Sequence, residues 1–153
     1  MIVTWKALFW LIHILGLTLW LGSSLGALLI WPHPQSQEKK QNVIAIVHTL
    51  RSLVARGSFF GGLLVAISGT SLSLILQPKS ELASLWLTTM QGLGVIAFIL
   101  AFFVLPRVER TIFVQESPPR NEFDRAQNKY RNLVRIIVLL LLLCLLMAAF
   151  KPQ

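Results

Sequence analysis

Few side chains in this sequence can do chemistry, and those few are scattered through apolar runs. His13 stands alone as the strongly polar residue of a first hydrophobic stretch, Gln91 holds a comparable position in a third, and Cys144 and Met147 lie in a leucine-rich fourth. An ionisable group at such a place is a functional hypothesis by default, because a charge in hydrocarbon is costly unless it is paired or neutral. His13 could serve as a neutral imidazole tied to Gln91 or a serine, as an axial haem ligand or metal ligand, or in proton transfer. Met90, Cys144 and Met147 are soft donors that suit a cuprous ion better than zinc, with His13 as the harder partner, although both residue types also serve as ordinary apolar packing. His48 shares a helical face with Arg51 and Ser52, a face that could hold an anionic headgroup or a propionate or simply be solvated. His33, set between Pro32 and Pro34, reads as a loop residue. Asp124, Asn128, Arg131 and Arg135 recur at steps of three and four, as either an interfacial face or an anion site with forked donors.

The elements that must position these groups are hydrophobic helices. Of 153 residues, 55% are hydrophobic, and the charged residues are bunched between apolar runs, which is the pattern of the membrane class. Four spans are expected at about 7–31, 57–76, 82–105 and 133–150, making one all-α domain over 1–153, an integral membrane four-helix bundle with short loops. The first run is too long for the apolar core of a signal peptide and is read as a span. Pro32 and Pro34 stop it, and Pro106 is expected to stop the third. Val43, Ile46, Val47, Leu50 and Val54 give residues 42–56 an amphipathic period, compatible with lying flat at the interface or with extending the second span. After the break at Ser117-Pro118-Pro119, Asn121, Glu122 and Asp124 resemble a helix start, so a cytoplasmic helical extension should lead into the fourth span.

Basic residues orient the bundle. Eleven of the fourteen Lys and Arg fall in the two connections after the first and third spans, whereas only Lys6, Lys79 and Lys151 flank the other side. The positive-inside rule then puts both termini outside the cytoplasm in a bacterial-type inner membrane. In that orientation His13, Ser71, Ser73, Gln91, Cys144 and Met147 share an outer depth. A net charge of +8 beside apolar runs points to anionic lipid headgroups and away from nucleic acid. Gly22 to Gly26 and Gly57 to Gly61 are small-residue spacings that predict close packing of spans one and two, or association with a second copy or another membrane protein. No nucleophile triad, phosphate-binding glycine loop, CxxC pair or HExxH motif is present, so the chain reads as a partner or handling protein more than an enzyme.

The stretch Leu11-Ile-His13-Ile-Leu-Gly16-Leu-Thr-Leu-Trp20-Leu-Gly22 resembles the opening helix of small bacterial membrane proteins related to copper-resistance protein CopD and to HemJ-type protoporphyrinogen oxidase. In those families the first span carries a histidine followed by a Trp-x-Gly element. Gly69, the basic stretch before the last helix and the ending Phe150-Lys151-Pro152 are also similar. The third span departs from the HemJ-type pattern, carrying Gln91 and no ionisable residue between Leu82 and Leu105. The resemblance implies a four-helix fold and a role in haem or copper handling. Its alternatives are a haem-dependent membrane oxidoreductase with His13 as axial ligand, and copper transfer across the membrane.

Overall fold

The computed structural model describes residues 2–31, 40–75, 85–113 and 120–149, and every one of these except Trp31 is helical. Helix α1 covers Ile2–Ile30 and α2 covers Lys40–Ile75. A third rod consists of α3 (Leu85–Ile99), a π-helical turn (Leu100–Val104) and α4 (Leu105–Phe113), and α5 covers Arg120–Ala149. Among the described residues, four helices are long and apolar enough to cross a membrane, over Trp5–Ile30, Ala45–Leu74, Leu87–Arg110 and Asp124–Ala149. Exposed leucine, isoleucine and phenylalanine side chains cover much of the outside, a surface that water would not tolerate and that lipid tails satisfy.

The contacts alternate in direction. Residue numbers rise on α1 as they fall on α2, through His13 with Ser68, Gly16 with Gly61 and Ser23 with Gly57. The same holds between α2 and the third rod, through Ser73 with Gln91 and Arg51 with Glu109, and between the third rod and α5, where Met90 meets Cys144 and Leu105 shares a core cluster with Tyr130 and Val134. Stacking of Trp31 on Tyr130 closes the ring from α1 to α5. The result is an up-down-up-down bundle. One end carries the start of α1 and the finish of α5, here the terminal end. The other carries most of the arginines, here the charged end.

Three expectations are settled by these helices. The amphipathic segment from 42 to 56 stands in line with the second span, because α2 is one helix of 36 residues, about 54 Å long. Likewise α5 runs from Arg120 straight into the fourth span. Pro106, expected to stop the third span, does not: the rod continues to Phe113. A proline inside an α-helix has no N–H to give and crowds the carbonyl four residues back. Here the preceding turn widens, and the Leu105 N–H bonds to the Leu100 carbonyl, five residues back.

That wider turn also sets register. Ala97, Ala101 and Leu105 are buried, and Glu109 continues their steps of four. In an unbroken α-helix such steps drift about 40° each, or about 120° from Ala97 to Glu109. A π turn absorbs one extra residue, about 100° of rotation, so all four positions stay on one face. Phe102, within the turn, stacks on Phe98 at 4.1 Å between ring centroids and fills the space beside Gly62.

Glycine closes the α1–α2 pair, although at different positions from one of the expected motifs. A Cβ on Gly61 would lie 2.6 Å from the Gly16 carbonyl oxygen and 2.7 Å from the Trp20 nitrogen, so backbone meets backbone there. A Cβ on Gly57 would meet the Ser23 side chain. By contrast, a Cβ on Gly22 or Gly26 would have nothing within 4 Å, so that spacing does not join spans one and two. Identical spacing puts small residues on one face but does not say which face meets a neighbour.

Candidate functional site

Two polar layers lie at different depths. In the terminal layer, His13 packs its ring over Gly69, where a Cβ would come within 3.1 Å of its Cε1, and Trp10 meets the ring edge-on with centroids 6.2 Å apart. His13 Nδ1 lies 3.1 Å from Ser68 Oγ. Ser68 is fully buried and its hydroxyl is 2.5 Å from the Leu64 carbonyl oxygen, which commits its single hydrogen to the helix backbone. Ser68 Oγ must therefore accept, and Nδ1 must be the nitrogen that carries hydrogen and donates. A neutral imidazole so held has its lone pair on Nε2, on a ring that is only half-buried.

The other residues picked out at this depth are not drawn into that bond. Gln91 Nε2 donates to Ser73 Oγ at 2.8 Å, an exposed link between α2 and α3. Cys144 turns its thiol toward the Met90 carbonyl, 3.6 Å away, and Met147 is exposed near the end of α5. Among the described residues, no three His, Cys, Asp or Glu side chains are grouped to hold a metal ion. The hydroxyl that reaches His13 is that of Ser68, and not Ser71 or Ser73, the serines expected at its depth, and the Gln91 partnership is not formed.

At the charged end the chemistry is different. Arg51 turns inward, only 6% exposed, among Val47, Leu50 and Val54, and forms an ion pair with Glu109 across to α4. Tyr130 is completely buried beside them, its ring stacked on Trp31 at 5.7 Å between centroids. His48 and Ser52 stay exposed, so the face they were expected to share with Arg51 is divided between outside and core. His33 lies outside the described residues.

Sequence patterning misses this pair, because it reads Arg51 as an orienting charge and as part of a polar face with His48 and Ser52, and because Glu109 lies past a proline expected to stop the helix. A signal was present. Arg51 is four residues after Val47 and one after Leu50, inside the apolar stripe itself, where an uncompensated charge could not remain.

Further along α5, Arg131 Nη2 donates to Asn128 Oδ1 at 2.9 Å and Arg135 Nη1 to Asn132 Oδ1 at 3.3 Å. Two guanidinium groups one turn apart are thus each steadied by a neutral amide three residues earlier. Fold and layers together define a four-span α-helical bundle of the membrane type. A search of family models, of curated proteins and of solved structures finds no match to the chain.

Proposed function

We propose that the chain is a small multi-pass protein of a bacterial-type inner membrane that handles haem or a metal ion through His13, as a partner subunit and not as an enzyme in its own right. The observation that carries this is the Ser68 anchor on Nδ1, which favours the tautomer with hydrogen on Nδ1 and the lone pair on Nε2. Ligating histidines are typically held by such a hydrogen bond on the other ring nitrogen, which orients the ring and raises its basicity. Haem bound there would supply one-electron chemistry. The chain's own part is to hold the ligand nitrogen at fixed depth, with Gly69 giving the ring room and Trp10 shielding its edge.

A donor from a second copy or a membrane partner would complete the coordination, which is why a subunit role fits better than a self-contained enzyme. The likeness of the first span to CopD and HemJ-type proteins supports the same class of ligand. The basic residues at the charged end support a cytoplasmic location for that end, with both termini outside.

The test is one preparation. The protein is purified from membranes in mild detergent, its reduced-minus-oxidised visible spectrum is recorded, and bound iron and copper are measured. The proposal expects haem or metal that disappears in His13→Ala. A wild-type protein that is colourless and free of both metals overturns it. Orientation is tested by a reporter fused after Gln153: activity confined to the cytoplasm overturns the assignment of the termini.

A further inference from the structure

The arginines of the charged end fall into two kinds. Arg51 is neutralised by Glu109 inside the core, whereas Arg131 and Arg135 are steadied by asparagines, which accept hydrogen bonds without cancelling charge. Neither Arg131 nor Arg135 has a carboxylate partner among the described residues. Arg131 is half-buried, so its guanidinium is held against the bundle, and Arg135 is exposed one turn above it. The two therefore offer paired, oriented, uncompensated forks, the donor geometry that phosphate oxygens fit.

What lies above them on the helix selects the source of the phosphate. Taking about 100° per residue, Arg135, Leu139, Leu142 and Leu146 all fall within about 80° of Arg131 around the α5 axis. The three leucines are exposed, Leu139 by 59%. Leu146 stands about 22 Å along the axis from Arg131, further than the roughly 15 Å of hydrocarbon in one leaflet. A basic head and an apolar stripe deeper than one acyl layer share a single face. A free phosphate would use only the first.

We propose that this face of α5 is a site for an anionic phospholipid, with Arg131 and Arg135 holding the headgroup phosphate and Leu139, Leu142 and Leu146 lying against an acyl chain. The assignment does not depend on His13 or on any cofactor. Its charge is specific in place: Arg125 and Lys129 are nearby and exposed but have no amide partner among the described residues, and they stand about 120° and 160° around the axis from Arg131.

The full-length protein, delipidated in detergent, is titrated with phosphatidylglycerol or phosphatidylcholine, and retained lipid is counted by native mass spectrometry. Wild type should retain phosphatidylglycerol about tenfold or more over phosphatidylcholine, the scale of one charge-assisted interaction. Equal retention overturns the site without reference to any variant. Arg131→Gln with Arg135→Gln should abolish the preference, whereas Arg125→Gln with Lys129→Gln, which removes the same charge, should keep it. Equal loss in both double variants would show diffuse attraction to the charged end and overturn the site. Glycerol phosphate is the arm for the headgroup alone. It should fail to displace the lipid at equal concentration, and effective displacement would remove the acyl half of the proposal.

Discussion

His13 and Arg51 are both polar side chains on apolar helices, and the bundle treats them in opposite ways. Arg51 is deep in the larger core, pressed among valines, and its charge is cancelled by Glu109 from another helix. His13 lies outside both hydrophobic clusters and is tied through Nδ1 to the buried Ser68 hydroxyl. A charge paired with its opposite across two helices inside the core holds those helices together, whereas a half-buried imidazole held through one nitrogen is tied less tightly into the packing. The difference supports structural work for the charged-end layer and leaves the terminal layer as the place where the proposed ligand role is tested.

The contrast predicts where substitution hurts most. Glu109→Gln leaves Arg51 charged and uncompensated in an apolar setting, and breaking such a pair costs about 3–5 kcal/mol. The lower end applies, because the Glu109 side chain keeps 29% of its exposure. Thermal unfolding in detergent should show the loss, and Arg51→Met together with Glu109→Leu should regain most of it, since apolar replacement of a whole buried pair is often neutral. A Glu109→Gln protein as stable as wild type would mean that Arg51 escapes to the interface, and the assignment of structural work to this layer would fail.

The α1–α2 seam joins the two layers and ranks next. Gly61→Ala puts a methyl against the Gly16 carbonyl and the Trp20 backbone, neither of which can swing away, so the helices must separate. A cost of about 1–3 kcal/mol is expected, as for overpacking elsewhere. Gly26→Ala meets nothing within 4 Å and should stay within about 0.5 kcal/mol. Unfolding of the two variants under identical conditions checks the pair. Reversed magnitudes would put the Gly22 to Gly26 face back at a helix contact.

Ser68→Ala is smaller still in stability but tests the ligand side of the contrast. Loss of one hydrogen bond of this kind costs about 1 kcal/mol. If His13 holds haem or metal, the same change should also alter the visible spectrum or metal retention, because the ring loses the bond that orients it. A shift in stability with an unchanged spectrum in a pigmented protein would separate Ser68 from the ligand.

Much of this was legible in the sequence, and the failures have a common cause. Run length and hydropathy place four spans, and the period of Val43, Ile46, Val47, Leu50 and Val54 shows helical structure ahead of the second span without saying that the two are one helix. Each of those signals is local. Arg51 and Glu109 are 58 residues apart, and their meeting depends on a π turn that rotates α4, which no periodicity count contains. Pro106 was read by its usual effect on an α-helix, and the widened turn removes that effect. Gly22 and Gly26 carry the right spacing on a face that finds no neighbour in the bundle. For His13, the need of a polar partner could be read, but finding Ser68 in place of Gln91, Ser71 or Ser73 required the depth and rotation of two helices together.

Gln91 supplies the smallest and last discrimination. Its amide bonds Ser73 on an exposed part of the α2–α3 contact, away from His13. Hydrogen bonds between membrane helices average about 0.6 kcal/mol, because the separated helices find other partners. Gln91→Leu also removes an amide from an apolar surface, which offsets part of that loss, so a change within about 0.5 kcal/mol is expected. Such near-neutrality, next to the larger effect of Ser68→Ala, would mark the polar residues of the terminal layer as two separate contacts. If Gln91→Leu instead costs as much as Ser68→Ala and moves any haem or metal signal with it, the layer acts as one network. His13 would then owe its position to α3 as well as α2.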